Sequence, residues 1–336
     1  MKNLKAPFPY FGGKSSAAPE IWRRFGKVNN YIEPFCGSLA VLLGRQEVQG
    51  YETVNDKSCF ISNFWRAVKC DPEQVAEHCQ FPVSETDLHA RHSWLMFSEE
   101  MEAFRKNIAD DPEFFDCKVA GWWCWGMCIW IGAGWCGESG LTKEGRTALK
   151  IPLPKKKGLL QNRRPDLYKS RGIQNALKKQ LPNIHGRRGI QKSDAHEWLS
   201  ILCDRLLSVR ICNGEWHRVC SSKCVTTSLG TTGIFLDPPY GEKTDRDMRL
   251  YAEESGTVAD EVRVWCIDRG KNKKLRLALC GYDGEHEELE EHGWSVFSWK
   301  AHGGYSNRNA ENKNRKRERI WFSPACIKDT QMEFSF

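Results

Sequence analysis

Residues 30–56 place the strongest constraint on what this chain can fold into. Asn30-Tyr31-Ile32-Glu33-Pro34 has the character of a short strand, and Phe35 to Gly37 turns the chain. Ser38 to Arg45 has the apolar density of a helix, Glu52-Thr53-Val54-Asn55-Asp56 reads as a second strand, and a helix through Phe60, Trp65 and Val68 follows. Strand, turn, helix and strand in so short a span form the unit of a parallel sheet with right-handed crossovers. An α/β class is therefore expected, with helices on both faces of the sheet.

The rest of the chain extends that pattern. A loop from Pro7 to Lys14 leads into a helix over Ser15 to Phe25, and Asp71-Pro72 and Asp111-Pro112 read as helix-start signals. Another helix is expected from Asp194 through Trp198, Ile201, Leu202 and Leu206. Strands are expected over Ser208–Cys212, Gly233–Asp237, Leu275–Cys280, Trp294–Trp299 and Arg319–Phe322, with a helix around Glu287 to Glu291. No internal repeat is visible. Val119 to Cys136 is uncharged over 18 residues, long enough to ask about a membrane span. Its four glycines, its lack of leucine and its five tryptophans spread along the length argue instead for a buried helix of about three turns followed by a glycine-rich turn.

Charge divides the chain unevenly. Lys143 to Lys192 holds 15 Lys and Arg against Glu144 and Asp166, a net +13, which leaves −6 on the other 286 residues of a chain whose total is +7. Four prolines, Pro152, Pro154, Pro165 and Pro182, make this block a set of surface loops and short elements. A second cluster, Lys300 to Arg319, adds a net +5. Such blocks suit a polyanion, because each neutralised phosphate releases a counterion; a solvated face is the alternative. The expected division is a core of residues 1–70 and 194–336, a mostly helical insert over 71–142 packing on it, and a basic region over 143–193.

The first residues contain no apolar stretch of a secretory signal, so the 15 cysteines are expected to be reduced thiols in a cytoplasmic protein. Cys203, Cys212, Cys220 and Cys224, with His217 nearby, could be read as a zinc site. No Cys-x-x-Cys pair occurs, so no metal is expected.

The chemistry-bearing motif is Asp237-Pro238-Pro239-Tyr240, at the end of an apolar strand. It supplies an acceptor carboxylate, two prolines that stiffen the turn and remove backbone donors, and an aromatic face, at the carboxyl edge where open α/β sheets bind ligands. That set suits a planar base with an exocyclic amine: the ring stacks on Tyr240 while the amine donates to Asp237. Glu33-Pro34-Phe35-Cys36-Gly37 is the first strand-to-helix turn, where a glycine permits close backbone approach and a helix N-terminus offers amides. Asp56, about 20 residues on, ends the next strand, where such sheets bind ribose hydroxyls.

Together these residues resemble the Dam-type (D12 class) DNA adenine N6-methyltransferases, in bacteria and phages. Tyr10-Phe11-Gly12-Gly13-Lys14 is similar to the family's N-terminal motif, Glu33 to Gly37 to its first motif, and Asp237 to Tyr240 to its catalytic motif. Leu275 to His286 is similar to a late strand and turn of phage-borne members. The resemblance implies a Rossmann-like S-adenosylmethionine-dependent sheet with an inserted target-recognition region. It also implies a cofactor site at Tyr10, Phe11, Lys14, Glu33, Pro34, Phe35, Gly37, Asp56 and Asp237, and catalysis by Asp237, Pro238, Pro239 and Tyr240. Two departures stand out: Leu39 occupies the place of the family's second turn glycine, and Asn55 precedes Asp56 where many members carry the acid first. Glu215 is a candidate acid near the cofactor's adenine, or a plain turn residue.

The implied reaction moves a methyl group to N6 of an adenine flipped out of double-stranded DNA at a specific sequence, in a restriction-modification or phage setting, by a monomer or weak dimer without a membrane or metal partner. The implied DNA contacts are Lys155, Lys156, Lys157, Arg163, Arg164, Arg187 and Arg188 in the basic block, with Arg315 and Arg317 in the late loop. N4 methylation of cytosine and a catalytically silent DNA-binding relic are the rival readings.

Overall fold

The computed structural model describes residues 4–10, 13–81, 84–130, 135–136, 192–220, 227–239, 258–299 and 318–328. Its centre is one sheet of seven strands: β1 (Asn30–Glu33), β2 (Tyr51–Asp56), β3 (Val209–Asn213), β4 (Thr232–Leu236), β5 (Leu275–Tyr282), β6 (Ser295–Ser298) and β7 (Glu318–Phe322). They lie in the order β3-β2-β1-β4-β5-β7-β6. The first five in that order run parallel, and β7 is antiparallel to both β5 and β6.

The strands are apolar on both faces because helices cover both. Tyr31, Phe235, Ala278, Cys280, Ile320 and Phe322 point into one buried layer, and their neighbours Ile32, Ile234, Leu236, Leu277, Leu279 and Trp321 into the other. The first layer is filled from α1 (Ala18–Phe25), α2 (Ala40–Leu43), α3 (Cys59–Cys70) and four further helices, α4 (Pro72–Cys79), α5 (Glu85–Phe97), α6 (Glu99–Asp110) and α7 (Cys117–Ile129). To these is added α8 (Lys192–Leu206), through Trp198, Leu199, Leu202 and Leu206. The second layer uses α9 (His217–Cys220), α10 (Val258–Arg269) and α11 (Glu288–Glu291). This is the expected α/β architecture, a Rossmann-like sheet flanked by helices on both faces.

The uncharged stretch after Val119 lies largely in α7, a 13-residue helix that ends at Ile129. Gly121 is required there, since a Cβ would meet the backbone of His78 on α4 at 2.7 Å. Among the described residues no helix is long and apolar enough to cross a membrane.

Two local expectations change. Asp111-Pro112 ends α6 instead of starting a helix: Asp111 is extended, as a residue before proline must be, and its carboxylate accepts from Glu113 N. The next helix begins at Asp116, whose side chain caps Val119 N. Asp71-Pro72 does start α4, with Asp71 accepting from Gln74 N. The helix expected over Ser38–Arg45 shrinks to Ala40–Leu43, because Leu39 takes a left-handed conformation (φ 54°, ψ 27°) while its side chain is fully buried.

At the amino edge of the sheet the buried Glu52 on β2 accepts from Arg45 and, through both oxygens, from Arg205 of α8. These guanidiniums also donate to the carbonyls of Val28, Gln49 and Leu42. One carboxylate thereby ties β2, α8 and the loop after α2, satisfying charges that would be costly to bury alone.

Candidate active site

The sheet changes winding direction between β1 and β4: from β1 the order runs out through β2 to β3 on one side and through β4 to β5 on the other. Open α/β sheets bind ligands in the crevice outside the carboxyl ends at such a point. Glu33-Pro34-Phe35 leaves β1 there, and Asp237-Pro238-Pro239 leaves β4 beside it.

The N-terminal segment lies across this edge. Its path is held by Trp198 Nε1 donating to Lys5 O and by Cys128 Sγ donating to Pro7 O. Phe8 is buried among Phe64, Trp65, Trp123 and Tyr10, with ring centroids 4.9–6.3 Å away. Tyr10 covers Gly37, whose φ is +43°; a Cβ there would collide with the tyrosine ring. Trp65 Nε1 donates to Gly37 O. The turn after β1 thus needs glycine twice over, for its backbone angle and for the ring above it.

Lys14 follows from this path. Its side chain is 3% exposed, with Nζ 2.9 Å from Asp237 Oδ2 and 3.7 Å from Glu318 Oε2. The ring of Trp299 stands 5.9 Å from the same ammonium. Glu318 reaches the edge by register: it is opposite Tyr282, at the end of β5, while Leu236, just before Asp237, is opposite Leu279.

Asp56 ends β2. Its Oδ2 accepts from Gly37 N and its Oδ1 from Ser58 N, both at 2.9 Å, and burial nevertheless pushes its carboxyl up to about 6. Asn55 beside it donates through Nδ2 to Pro34 O and Gly214 O, joining the exits of β1 and β3, while its Oδ1 is buried without a hydrogen-bond partner. Phe35 and Trp216 stack across the same junction, centroids 6.3 Å apart. Glu215 lies there too, half exposed and 3.2 Å from Lys57 Nζ.

Glu33 is 2% exposed. Tyr31 Oη and Leu42 N both donate to its Oε2, and burial, with Asp237 nearby, pushes its carboxyl up to about 8.

The structure therefore brings together Tyr10, Lys14, Glu33, Pro34, Phe35, Gly37, Asp56, Asp237, Pro238 and Pro239 at one edge. Phe11, Tyr240, Lys155, Lys156, Lys157, Arg163, Arg164, Arg187, Arg188, Arg315 and Arg317 lie outside the described residues, as does the basic block as a whole apart from the start of α8. Of the cysteines considered for zinc, Cys203 donates to Lys69 O, Cys212 is on β3 and Cys220 is buried, while Cys224 is outside the described residues. Among the described residues no three potential metal ligands converge. Sequence reasoning missed Glu318, Trp299 and Asn55 as parts of the site.

Residues 10–113 match the family model of D12 class N6 adenine-specific DNA methyltransferases. The matched segment is 104 of the chain's 336 residues, and over that segment the chain is similar to the D12-type adenine methyltransferases. The match takes in Tyr10, Lys14, the turn after β1 and Asp56, and stops before Asp237 and Glu318. No curated protein matches the chain. The D12 class implies S-adenosylmethionine as methyl donor and DNA as substrate. The residues at the edge fit that donor: a carboxylate at the end of β2 for a ribose diol, the half-buried ring of Phe35 for a purine, and Asn55 Oδ1 as an unsatisfied acceptor at the end of the same strand.

The raised Glu33 carboxyl has a consequence for stability. Its folded value, about 8, exceeds the ordinary 4.5, so the fold prefers the protonated form. Its contribution is complete below about 4.5 and is lost as pH rises through about 8. Glu33→Gln, which stays neutral, should flatten the fall in denaturation midpoint between about pH 5 and 8, a window above the range in which ordinary carboxylates titrate. An unchanged pH profile in that variant would show that Glu33 is already ionised.

Proposed function

We propose that this chain methylates N6 of adenine within a specific sequence of double-stranded DNA, on a base rotated out of the helix, with Asp237 as the acceptor that holds the reacting amine. The observation carrying this reading is the placement of Asp237: it ends β4 at the winding switch, is 22% exposed, and is fixed by a buried lysine from the segment that the family match covers.

S-adenosylmethionine, when bound, would supply an electrophilic methyl group on a sulfonium, its sulfur keeping the C–S pair as the neutral sulfide, and the amine would give up one proton to solvent. The chain's own residues then have to align and to stabilise charge. Asp237 and the carbonyl of Pro238 accept from the two N6 hydrogens, orienting the lone pair and raising electron density on nitrogen. Pro238 and Pro239 keep this turn rigid and free of competing N–H donors. Tyr240 stacks on the flipped base in place of its lost neighbours. Asp56 and Asn55 hold the ribose and adenine side of the donor, with Phe35 against its purine and Glu215 at the rim. Tyr10 covers the turn at Gly37, and Phe11 is a further cofactor-side aromatic implied by the resemblance.

The basic block between α7 and α8 serves as the target-recognition region. Lys155, Lys156, Lys157, Arg163, Arg164, Arg187 and Arg188, with Arg315 and Arg317 in the late loop, contact mostly phosphate, which positions the duplex without reading it. Cytosine N4 presents a similar amine; Asp237, where a serine is usual for cytosine enzymes, favours adenine.

Asp237→Ala should abolish transfer, measured as methyl incorporation into DNA, in a chain that still folds but melts lower because Lys14 loses the nearer of the two carboxylates that face it; a fully active variant removes Asp237 from this role. Neutralising Arg163 and Arg164 together should weaken DNA binding and lower the slope of log K against log salt by about 1 to 2. An unchanged slope would place these arginines off the duplex.

A further inference from the structure

Asn55 is 1% exposed and stands one residue before the end of β2. The parallel register sets it opposite Cys212 on β3 and one step beyond the last pair with β1, Glu33 with Val54. Pro34 and Gly214, the first residues out of β1 and β3, flank it. Its Nδ2 donates to Pro34 O at 3.0 Å and to Gly214 O at 2.8 Å, so one amide spans two strand exits that are not neighbours in the sheet. Phe35 follows the first carbonyl, Glu215 and Trp216 follow the second, and the two rings stack. Because both partners of Nδ2 are carbonyls, the amide's orientation is fixed and Oδ1 faces elsewhere.

Oδ1 is buried with no hydrogen-bond partner among the described residues. The backbone donors of the surrounding turns are engaged: Cys36 N by Asn55 O, Gly214 N by Asp56 O, and Gly37 N and Ser58 N by the Asp56 carboxylate. A strut between two loops has no use for such an acceptor, and a buried one left bare is costly. An adenine ring lying on Phe35 presents acceptors at its ring nitrogens and N–H donors at its 6-amino group alone. The ribose diol has the neighbouring Asp56.

We propose that Asn55 is a specificity-determining residue for the cofactor: Nδ2 sets the gap between the exits of β1 and β3, and Oδ1 accepts a hydrogen bond from the 6-amino group of the purine that enters it. The proposal rests on S-adenosylmethionine as the cofactor, and adds the atom that tells its adenine from other purines.

Calorimetry with S-adenosylhomocysteine, and with its analogue carrying hydrogen in place of the 6-amino group, needs no turnover. The parent chain should prefer the amino compound about tenfold or more. Asn55→Ala loses the bridge and the acceptor alike, so it should weaken both ligands and bring the preference to within about threefold. Asn55→Asp keeps acceptor oxygens and loses the donor to Pro34 O and Gly214 O; it should weaken both ligands about tenfold and keep most of the preference. A residue that only holds loops together would lower both affinities and leave their ratio unchanged in every variant.

Equal affinity of the parent chain for the two ligands overturns the proposal, a result that needs no variant to fold. So does an unchanged ratio in a folded Asn55→Ala chain, or a preference lost in Glu215→Ala and kept in Asn55→Ala, which gives the amine to Glu215. Unchanged affinities in Asn55→Asp overturn the bridging role. A parent chain that fails to bind S-adenosylhomocysteine removes the cofactor reading and this inference with it, whereas binding without preference removes this inference alone.

Discussion

The ion pair between Lys14 and Asp237 joins the two parts of the chain on which the site depends. One partner is in the N-terminal segment that the family match covers, the other at the end of β4. An ammonium 3% exposed is costly to bury, and it stays because two carboxylates face it. Much else serves to deliver that lysine. Phe8 is anchored in an aromatic cluster, Tyr10 rests on Gly37, and Trp65 holds the carbonyl of Gly37 from below. The aromatic richness of the helices after β2 is thus part of how the site is positioned: Trp123 of α7 and Phe64 of α3 form the seat for the segment bearing Lys14.

Where function can be read from local sequence, it is read at turns. Asp237 follows an apolar strand and precedes two prolines, and Gly37 and Asp56 sit at strand ends, so chain order alone assigns them to one sheet edge. Glu318 is not legible in this way. Beside Arg315, Lys316, Arg317 and Arg319 it counts only as an acid diluting a basic cluster, and the strand expected from the sequence starts one residue later. Its place at the edge depends on antiparallel pairing with β5, a register set by distant residues. An acid standing alone at the junction of a basic loop and an apolar strand is the available signal. Asn55 stands out in the sequence only as a departure, whereas the structure makes it the strut between the exits of β1 and β3.

Leu39 shows the opposite case, in which the departure is visible in the sequence and its structural cost is not. A residue with a Cβ in the left-handed region costs about 1–2 kcal/mol. Here the side chain is fully buried, and burial of a leucine returns about 1.5–3 kcal/mol. The two terms are of similar size, so the turn keeps the backbone path a glycine would give while adding to the core. The same residue shortens α2 to one turn, which leaves Leu42 N close enough to donate to the Glu33 carboxyl.

The charge asymmetry fits the same division of labour. The acids Glu33, Asp56 and Asp237 concentrate on the sheet edge, while the +13 block falls between α7 and the start of α8 and, apart from Lys192, lies outside the described residues. The central claim is the identity of the product. Double-stranded DNA incubated with this chain and methyl-labelled S-adenosylmethionine, then digested to nucleosides and separated by mass, should carry the label as N6-methyldeoxyadenosine. Label recovered as N4-methyldeoxycytidine, or DNA left unlabelled by chain that binds the donor, would contradict it.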